Sequence, residues 1–172
     1  MSKLLKLLEG GDIRQLGKIP EVIKLVGDDQ DKFDELFQGI YSGDEIVRIR
    51  SADAIFKINK NHPYLLQNHK KDVLKFILNE FKPEVLWQLV VPASTLQLTK
   101  SETAKLYDRI IKLLDTKGMN IFSQCECMTA LANISQNHPD LKDEVRQIVE
   151  EKMLKGSNAI KARGRIILKT IT

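Results

Sequence analysis

The sequence is poor in the residues that build turns, disulfides or membrane spans. Its 172 residues include 9 glycines and 5 prolines, which argues against long loops or a fold rich in β-turns. No apolar run approaches the roughly 18–20 residues that cross a bilayer, so no membrane contact is expected. Its 2 cysteines are too few for a disulfide framework, which suits a reducing cytoplasm. We therefore expect a soluble, cytoplasmic, helical protein.

Positive charge is in excess only near the C-terminal end. The formal net charge is +4, and residues 157–172 hold four basic residues and no acid, which leaves 23 basic and 23 acidic residues before them. A protein that follows nucleic-acid phosphates would carry basic residues along a whole face. We expect the terminal cations to form a polar cap, with contact to an acidic partner or a phosphate backbone as the alternative. They are Lys161, Arg163, Arg165 and Lys169.

The chain repeats itself about every 38 residues. The tripeptide Asn-His-Pro occurs at 61–63 and again at 137–139, 76 residues apart. Segments that align at shifts of 38, 38 and 37 residues are 47–58, 85–96, 123–134 and 160–171. In each segment the apolar or small residues recur at a spacing typical of one helix face. Each of these helices (A helices) is followed by a second amphipathic helix (B helix), at 64–81, 101–115 and 141–154.

Residues between the helices agree with this division. Residues suited to begin a helix, as caps or as first-turn prolines, are Asp44, Pro63, Thr99, Pro139 and Ser157. Asn61 and Asn137 are expected to close the A helices before them in the left-handed conformation. Pro92 lies inside an A helix and predicts a bend between Trp87 and Leu96.

The predicted organisation is a single all-α domain. It comprises a diverged N-terminal pair at 1–43, repeats at 44–81, 82–117 and 118–156, and a terminal helix at 157–172.

The pattern Asp44-x-x-Val47-Arg48-x-x-Ser51-Ala52-x-Ala54-Ile55-x-x-Ile58 resembles the HEAT-repeat consensus, in which a cap precedes Val-Arg, small pairs and aliphatic residues. The chain also resembles a group of small prokaryotic HEAT-repeat proteins, over Gly11-Asp12-Ile13-Arg14, over residues 47–54, and over Glu84-Val85-x-Trp87-x-Leu89 leading to Leu96-Gln97-Leu98-Thr99. That group tends to have Arg and His beside the tryptophan, where this chain has Leu86 and Gln88. The resemblance implies a right-handed α-α superhelix of the HEAT or armadillo type, with about four to five helical pairs and a binding role. It transfers no active site.

The sequence contains no catalytic, cofactor-binding or metal-binding pattern. His62 and His138 occupy equivalent turns two repeats apart, too far for one metal ion. His69 is expected on a solvated helix face. Cys125 and Cys127 point to different sides of a helix and are expected to pack as small apolar residues. We therefore expect no catalysis, cofactor or metal, and a HEAT-type lyase would need an acid–base pair that the sequence does not indicate.

The leading prediction is a non-catalytic scaffold whose concave B-helix surface binds a protein or peptide. Arg48 is expected to pair with an acid of the neighbouring repeat, and Arg50 to be exposed. Trp87 is either a wedge between repeats or an exposed anchor. The candidate partner-binding residues are Arg50, His69, Lys70, Trp87, Lys105, Arg109 and Arg146. The alternative is a nucleic-acid-binding protein related in fold to solenoids that bind alkylated DNA.

Overall fold

The computed structural model describes residues 2–12, 14–79 and 82–171, and every regular element within them is helical. The α-helices are α1 (Lys3–Lys6), α2 (Ile19–Val26), α3 (Gln30–Gln38), α4 (Glu45–Asn59), α5 (Lys70–Asn79), α6 (Pro83–Ser94), α7 (Lys100–Leu114), α8 (Ile121–Asn137), α9 (Lys142–Lys155) and α10 (Asn158–Thr170). Short 3-10 helices span Gly39–Tyr41, Pro63–His69 and Pro139–Leu141. The all-α expectation is confirmed. Ile13 of the resemblance motif, and residues 80 and 81 of the predicted helix 64–81, lie outside the described ranges.

Side-chain caps fix several helix starts where the sequence predicts them. The Asp44 carboxylate accepts a hydrogen bond from the Ile46 N–H at 2.8 Å, which begins α4. Thr99 and Glu102 form both bonds of a capping box at the start of α7. The Ser157 hydroxyl caps α10. Local hydrogen bonding therefore sets these boundaries.

The predicted left-handed closure of the A helices at Asn61 and Asn137 is wrong. All residues with positive φ in the described ranges are glycines, and Asn137 is the last residue of α8. The chain instead leaves each helix through a histidine outside the helical region, since His62 has φ −130° and His138 has φ −132°. Each histidine precedes a proline, whose ring disfavours the helical conformation in the residue before it.

The helices pack in two rows. Within one row α4 contacts α6, α6 contacts α8, and α8 contacts α10. Beside it, α5 packs against α6 and α7, α7 against α8, and α9 against α8 and α10. At the N-terminal side α2 and α3 both contact α4, and α1 contacts α3. Each B helix thus packs against the A helix that follows it.

The buried hydrophobic side chains form one cluster that runs from Leu4 to Ile171. Small residues at the centre of α4 and α8, such as Ala52 and Ala130, let the neighbouring helices approach closely. Cys125 and Cys127 are buried in this cluster, as expected of small apolar residues. The helices α4, α6, α8 and α10 therefore share one continuous core.

Pro92 lies in the last turn of α6, which ends two residues later at Ser94. Both the N–H and the hydroxyl of Thr95 donate to the Pro92 carbonyl oxygen, at 3.1 Å and 2.8 Å. The bend expected between Trp87 and Leu96 stays a prediction. Over the described ranges, none of the helices has the length and apolar character needed to cross a membrane.

Candidate functional site

A groove lies between the start of α7 and the turn that leads into α9. One wall comes from α7 residues spaced three or four apart, which therefore share one helix face. The other wall comes from the 3-10 helix at Pro139–Leu141 and the first turns of α9. The groove has a volume of about 610 Å³, and its lining residues are Lys100, Thr103, Ala104, Tyr107, Asp108, His138, Asp140, Leu141 and Glu144. We call it the α7–α9 groove.

Tyr107 is the most buried of the large side chains that line this groove. Its exposed fraction is 5%, and its hydroxyl oxygen is itself buried. Burial raises the pKa of Tyr107 to about 12, and the negative charge of the nearby Glu144 adds to the rise. The phenol therefore keeps its proton at physiological pH. This neutral hydroxyl can donate its one proton to the Glu144 carboxylate beside it.

The lining of the α7–α9 groove is more acidic than basic. It contains three carboxylates, from Asp108, Asp140 and Glu144, against one ammonium group, from Lys100. Asp140 and Glu144 lie near the start of α9, where the helix dipole stabilises negative charge. The potential of the groove should therefore attract cations.

A second, smaller hollow extends the groove across the α6–α7 loop. It has a volume of about 250 Å³ and shares Thr103 and His138 with the α7–α9 groove. The side-chain amide of Gln67 holds this loop, because it accepts from the Gln97 N–H at 2.9 Å and donates to the Gln97 carbonyl at 3.3 Å. One rim of the extended groove is thus fixed to the preceding repeat.

Arg50 is not the exposed residue that the sequence predicts. It is 3% exposed, and its guanidinium donates to the carbonyl oxygens of Leu8, Glu9, Gly10, Asp12 and Gln15. The repeat pattern places Arg50 off the packing face of α4. Residues 8–12 and 14–18, which form no helix, cover that side of α4. Helical periodicity does not predict such a contact.

His69 is also buried, contrary to the prediction of a solvated helix face. Its Nε2 lies 2.6 Å from Asp34 Oδ1, and its ring stacks on Phe37 with centroids 4.0 Å apart. The reason is local: residues 63–69 form a 3-10 helix, whose three-residue turn points His69 toward α3. His69 and Asp34 form an acid–base pair that the sequence did not indicate, but neither lines the α7–α9 groove.

The other candidate partner-binding residues are dispersed. Lys70 forms an ion pair with Glu102 at 3.0 Å, and Arg109 Nε donates to the Ile77 carbonyl at 3.0 Å. Trp87 is half-buried against the core, which favours the wedge between repeats. The remaining two, one exposed and one half-buried, are Lys105 and Arg146. None of the seven predicted residues lines the α7–α9 groove.

The four cations of α10, expected to form a polar cap, do not form one continuous basic surface. The guanidinium of Arg163 donates to Thr129 Oγ1 at 3.2 Å and lies 3.8 Å from the Glu126 carboxylate, so it points toward α8. Lys161 and Arg165 line a hollow next to Leu154, which is 79% exposed. Lys169 is exposed at the end of α10. Apolar surface thus interrupts the cations of this helix.

Two ion pairs join neighbouring helices, Arg48 with Glu84 and Arg163 with Glu126. The sequence predicts the first and not the second. Arg48 Nη2 lies 3.3 Å from Glu84 Oε1 in the following repeat, which confirms the predicted pairing. Glu126, between the two cysteines of α8, is buried and was missed. Burial raises the pKa of Glu126, while the charges of Arg163 and Lys60 oppose the rise.

No group of three or more His, Cys, Asp or Glu side chains is placed to hold a metal ion in the part of the chain that the structure describes. A scan against protein-family models, a search of curated proteins and a search of solved structures found no match to the chain.

Proposed function

We propose that this chain is an α-solenoid of HEAT-type helix pairs that acts as a non-catalytic binding protein, with a protein or peptide partner held in the α7–α9 groove. The 38-residue repeat and the two rows of helices support the architecture. In such stacks each pair contacts mainly its neighbours, and the gaps between pairs form extended binding surfaces.

The groove carries this proposal. Its volume of about 610 Å³ falls within the usual range for binding pockets, which is about 300–1,000 Å³. Its walls combine exposed charges with the apolar surfaces of Ala104, Tyr107 and Leu141. A lining of this kind suits the side chains of a peptide segment better than a single small ion.

Three contacts hold the α7 side of the groove in place. The capping box at Thr99 fixes the start of α7, and the Lys70–Glu102 ion pair ties that start to α5. Gln67 holds the backbone of Gln97 in the adjoining loop. A surface that is ordered before binding loses less conformational entropy when a partner docks.

Nucleic-acid binding is the weaker alternative. Three carboxylates line the groove, and like charges oppose the approach of phosphates. Arg163, one of the four cations near the C-terminal end, already contacts Thr129 and Glu126. A titration with duplex DNA at several salt concentrations tests this alternative, because phosphate contacts make affinity fall steeply with salt.

Selection from a displayed library of random peptides tests the proposal. The variant Ala104→Trp fills the groove from an exposed position of α7 without changing charge, and Ala162→Trp makes the same change on an exposed position of α10. We expect wild type and Ala162→Trp to enrich the same peptides and Ala104→Trp to lose them. Enrichment that survives Ala104→Trp, an absence of enrichment, or salt-dependent DNA binding in its place would overturn the proposal.

A further inference from the structure

We infer that this protein forms a symmetric dimer, in which the outer side of the α9–α10 pair packs against the same side of a second copy. We call this surface the α9–α10 face, and its residues are Glu150, Glu151, Leu154, Lys161, Arg165 and Ile166. It is separate from the α7–α9 groove, so the dimer does not depend on the proposed function.

The centre of the α9–α10 face is apolar. Leu154 is 79% exposed and Ile166 is 60% exposed, the two highest values among the large hydrophobic side chains of the described ranges. Leu154 borders a hollow of about 550 Å³ that Met153 also lines. Removing such side chains from water is favourable, so the face is suited to contact with another protein surface.

In the preceding repeat, the corresponding side of the A helix is covered by another helix. At the shift of 37 residues, Ala162 and Arg165 of α10 align with Cys125 and Met128 of α8. The two residues of α8 are buried, and α8 packs against α10. Ala162 and Arg165 are exposed. Because α10 carries a cation where α8 has a methionine, a helix that covers α10 is expected to bring negative charge.

The helix α9 carries negative charge of this kind. Glu150 lines the same hollow as Lys161 and Arg165, and Glu151 follows it on α9. None of these four residues forms an ion pair within the described ranges. The α9–α10 face therefore presents two unpaired carboxylates on α9 beside two unpaired cations on α10.

A two-fold rotation brings these opposite charges together. Rotation by 180° about an axis parallel to the two helices, and midway between them, places α9 of one copy over α10 of the other. Because Glu150 and Arg165 line one hollow, they lie at a similar level along the helices, and this rotation keeps that level. Glu150 of each copy then faces Arg165 of the other, with the apolar centre between them. Such a contact is self-complementary, which a closed dimer requires.

Head-to-tail stacking of copies is disfavoured by charge. The hollow at the other end of the rows is lined by two lysines, Lys3 and Lys32, against one carboxylate, from Glu35. In a head-to-tail stack these lysines would lie against the cations of α10, and like charges across an interface repel each other.

The α9–α10 face is small for a protein interface. Helices of 14 and 13 residues are about 20 Å long, so the pair has a footprint of about 400 Å². Stable complexes bury about 800 Å² on each partner. We therefore expect a weak dimer that exchanges rapidly with the monomer.

Sedimentation velocity of the full chain, at concentrations from about 1 to about 500 μM, measures this dimer. Glu150→Arg and Arg165→Glu should each weaken it about tenfold, because each change sets like charges against each other twice per dimer. Leu154→Asn should weaken it about as much by removing apolar surface. The matched controls are Lys71→Glu and Leu16→Asn, at exposed positions away from the face, which should leave dimerisation within about twofold.

A mixture of the two charge-reversal variants tests the pairing itself. Equal amounts of Glu150→Arg and Arg165→Glu should form a heterodimer, because every opposed pair then joins an arginine to a glutamate. A chain that stays monomeric, a dimer that the three substitutions leave intact, or variants that do not associate on mixing would overturn the inference. Assemblies larger than a dimer would overturn it as well, since head-to-tail contacts build them. The substituted side chains are all exposed, so the variants should fold as wild type does, which urea unfolding checks.

Discussion

Arg50 Nη1 donates a hydrogen bond to the Gly10 carbonyl oxygen at 2.7 Å, across 40 positions of the sequence. The two Nη atoms of the same guanidinium donate to four further carbonyl oxygens of the segment 8–18. Residues 8–12 and 14–18 form no helix, so their carbonyls are not paired in the regular pattern of one. A single side chain of α4 donates to five of them, which makes Arg50 the organising contact of the N-terminal region.

Arg50→Met should therefore destabilise the protein by about 2–4 kcal/mol, because buried carbonyls lose charge-assisted hydrogen bonds and methionine supplies none. Urea unfolding measures the change, and limited proteolysis should show faster cleavage within 8–18. Arg14→Met is the control within the same segment, since that side chain is 86% exposed. Its effect should stay within about 0.5 kcal/mol. Equal effects of the two substitutions would contradict the role given to Arg50.

Gly17 lies directly against the guanidinium of Arg50. It has φ +53°, and a Cβ there would lie 2.8 Å from Arg50 Cζ, which its hydrogen bonds hold in place. Gly10 has φ +72° but no atom within 4 Å of the corresponding Cβ position. Gly10→Ala should cost about 1 kcal/mol from backbone conformation alone, and Gly17→Ala about 1–3 kcal/mol more from the clash. Comparable unfolding midpoints for the two variants would show that the Arg50 guanidinium moves away from the new Cβ at little cost.

The helices of this protein were predictable because their signals are local. Caps such as Asp44 and Thr99 act within three residues, and the apolar face of α4 repeats in α6, α8 and α10. The pairing of Arg48 with Glu84 followed from the repeat as well, since neighbouring copies place these residues side by side.

Arg50 and His69 were misplaced because their partners lie outside the repeat. Arg50 binds an irregular segment, and a 3-10 turn rotates His69 toward α3. The α7–α9 groove was anticipated only as part of a B-helix surface. Tyr107 carried a usable signal: it occupies the apolar face of α7, and a buried tyrosine hydroxyl requires a partner. The residue beside that hydroxyl depends on the turn at His138. The sequence did not identify it, because the left-handed closure predicted at Asn137 is wrong.

The buried hydroxyl of Tyr107 leads to a prediction about the stability of the protein without any ligand. Tyr107→Phe removes a buried hydroxyl that interacts with the Glu144 carboxylate, so thermal unfolding should show a loss of about 0.5–1.5 kcal/mol. Tyr64→Phe is the matched control, because that ring is exposed and its hydroxyl lies 3.3 Å from His62 Nδ1. It should change stability by less than about 0.5 kcal/mol. A gain of stability in Tyr107→Phe would mean that the hydroxyl has no partner in solution.

The buried carboxyl of Glu126 should make stability depend on pH. Burial raises its pKa above the ordinary value of 4.5, so the folded state holds this proton to a higher pH than the unfolded state does. Where the folded state binds the extra proton, stability falls as pH rises. The unfavourable contribution of Glu126 should therefore grow from about pH 4.5 upward and level off above its folded pKa. Glu126→Gln should gain stability over wild type through that same range.

Glu102→Gln provides a comparison of opposite sign. The Thr99 N–H, and then Lys70, lower the pKa of Glu102 in the folded state, so its contribution is present above the unfolded pKa and is lost as pH falls through the folded pKa. Glu102→Gln should thus lose stability relative to wild type at pH 7 and lose none at low pH. Urea unfolding of both variants from pH 3 to pH 8 should give difference curves that slope in opposite directions. A flat or falling difference for Glu126→Gln would mean that the ion pair with Arg163 outweighs burial, because the charged form of Glu126 would then be the one that the fold stabilises.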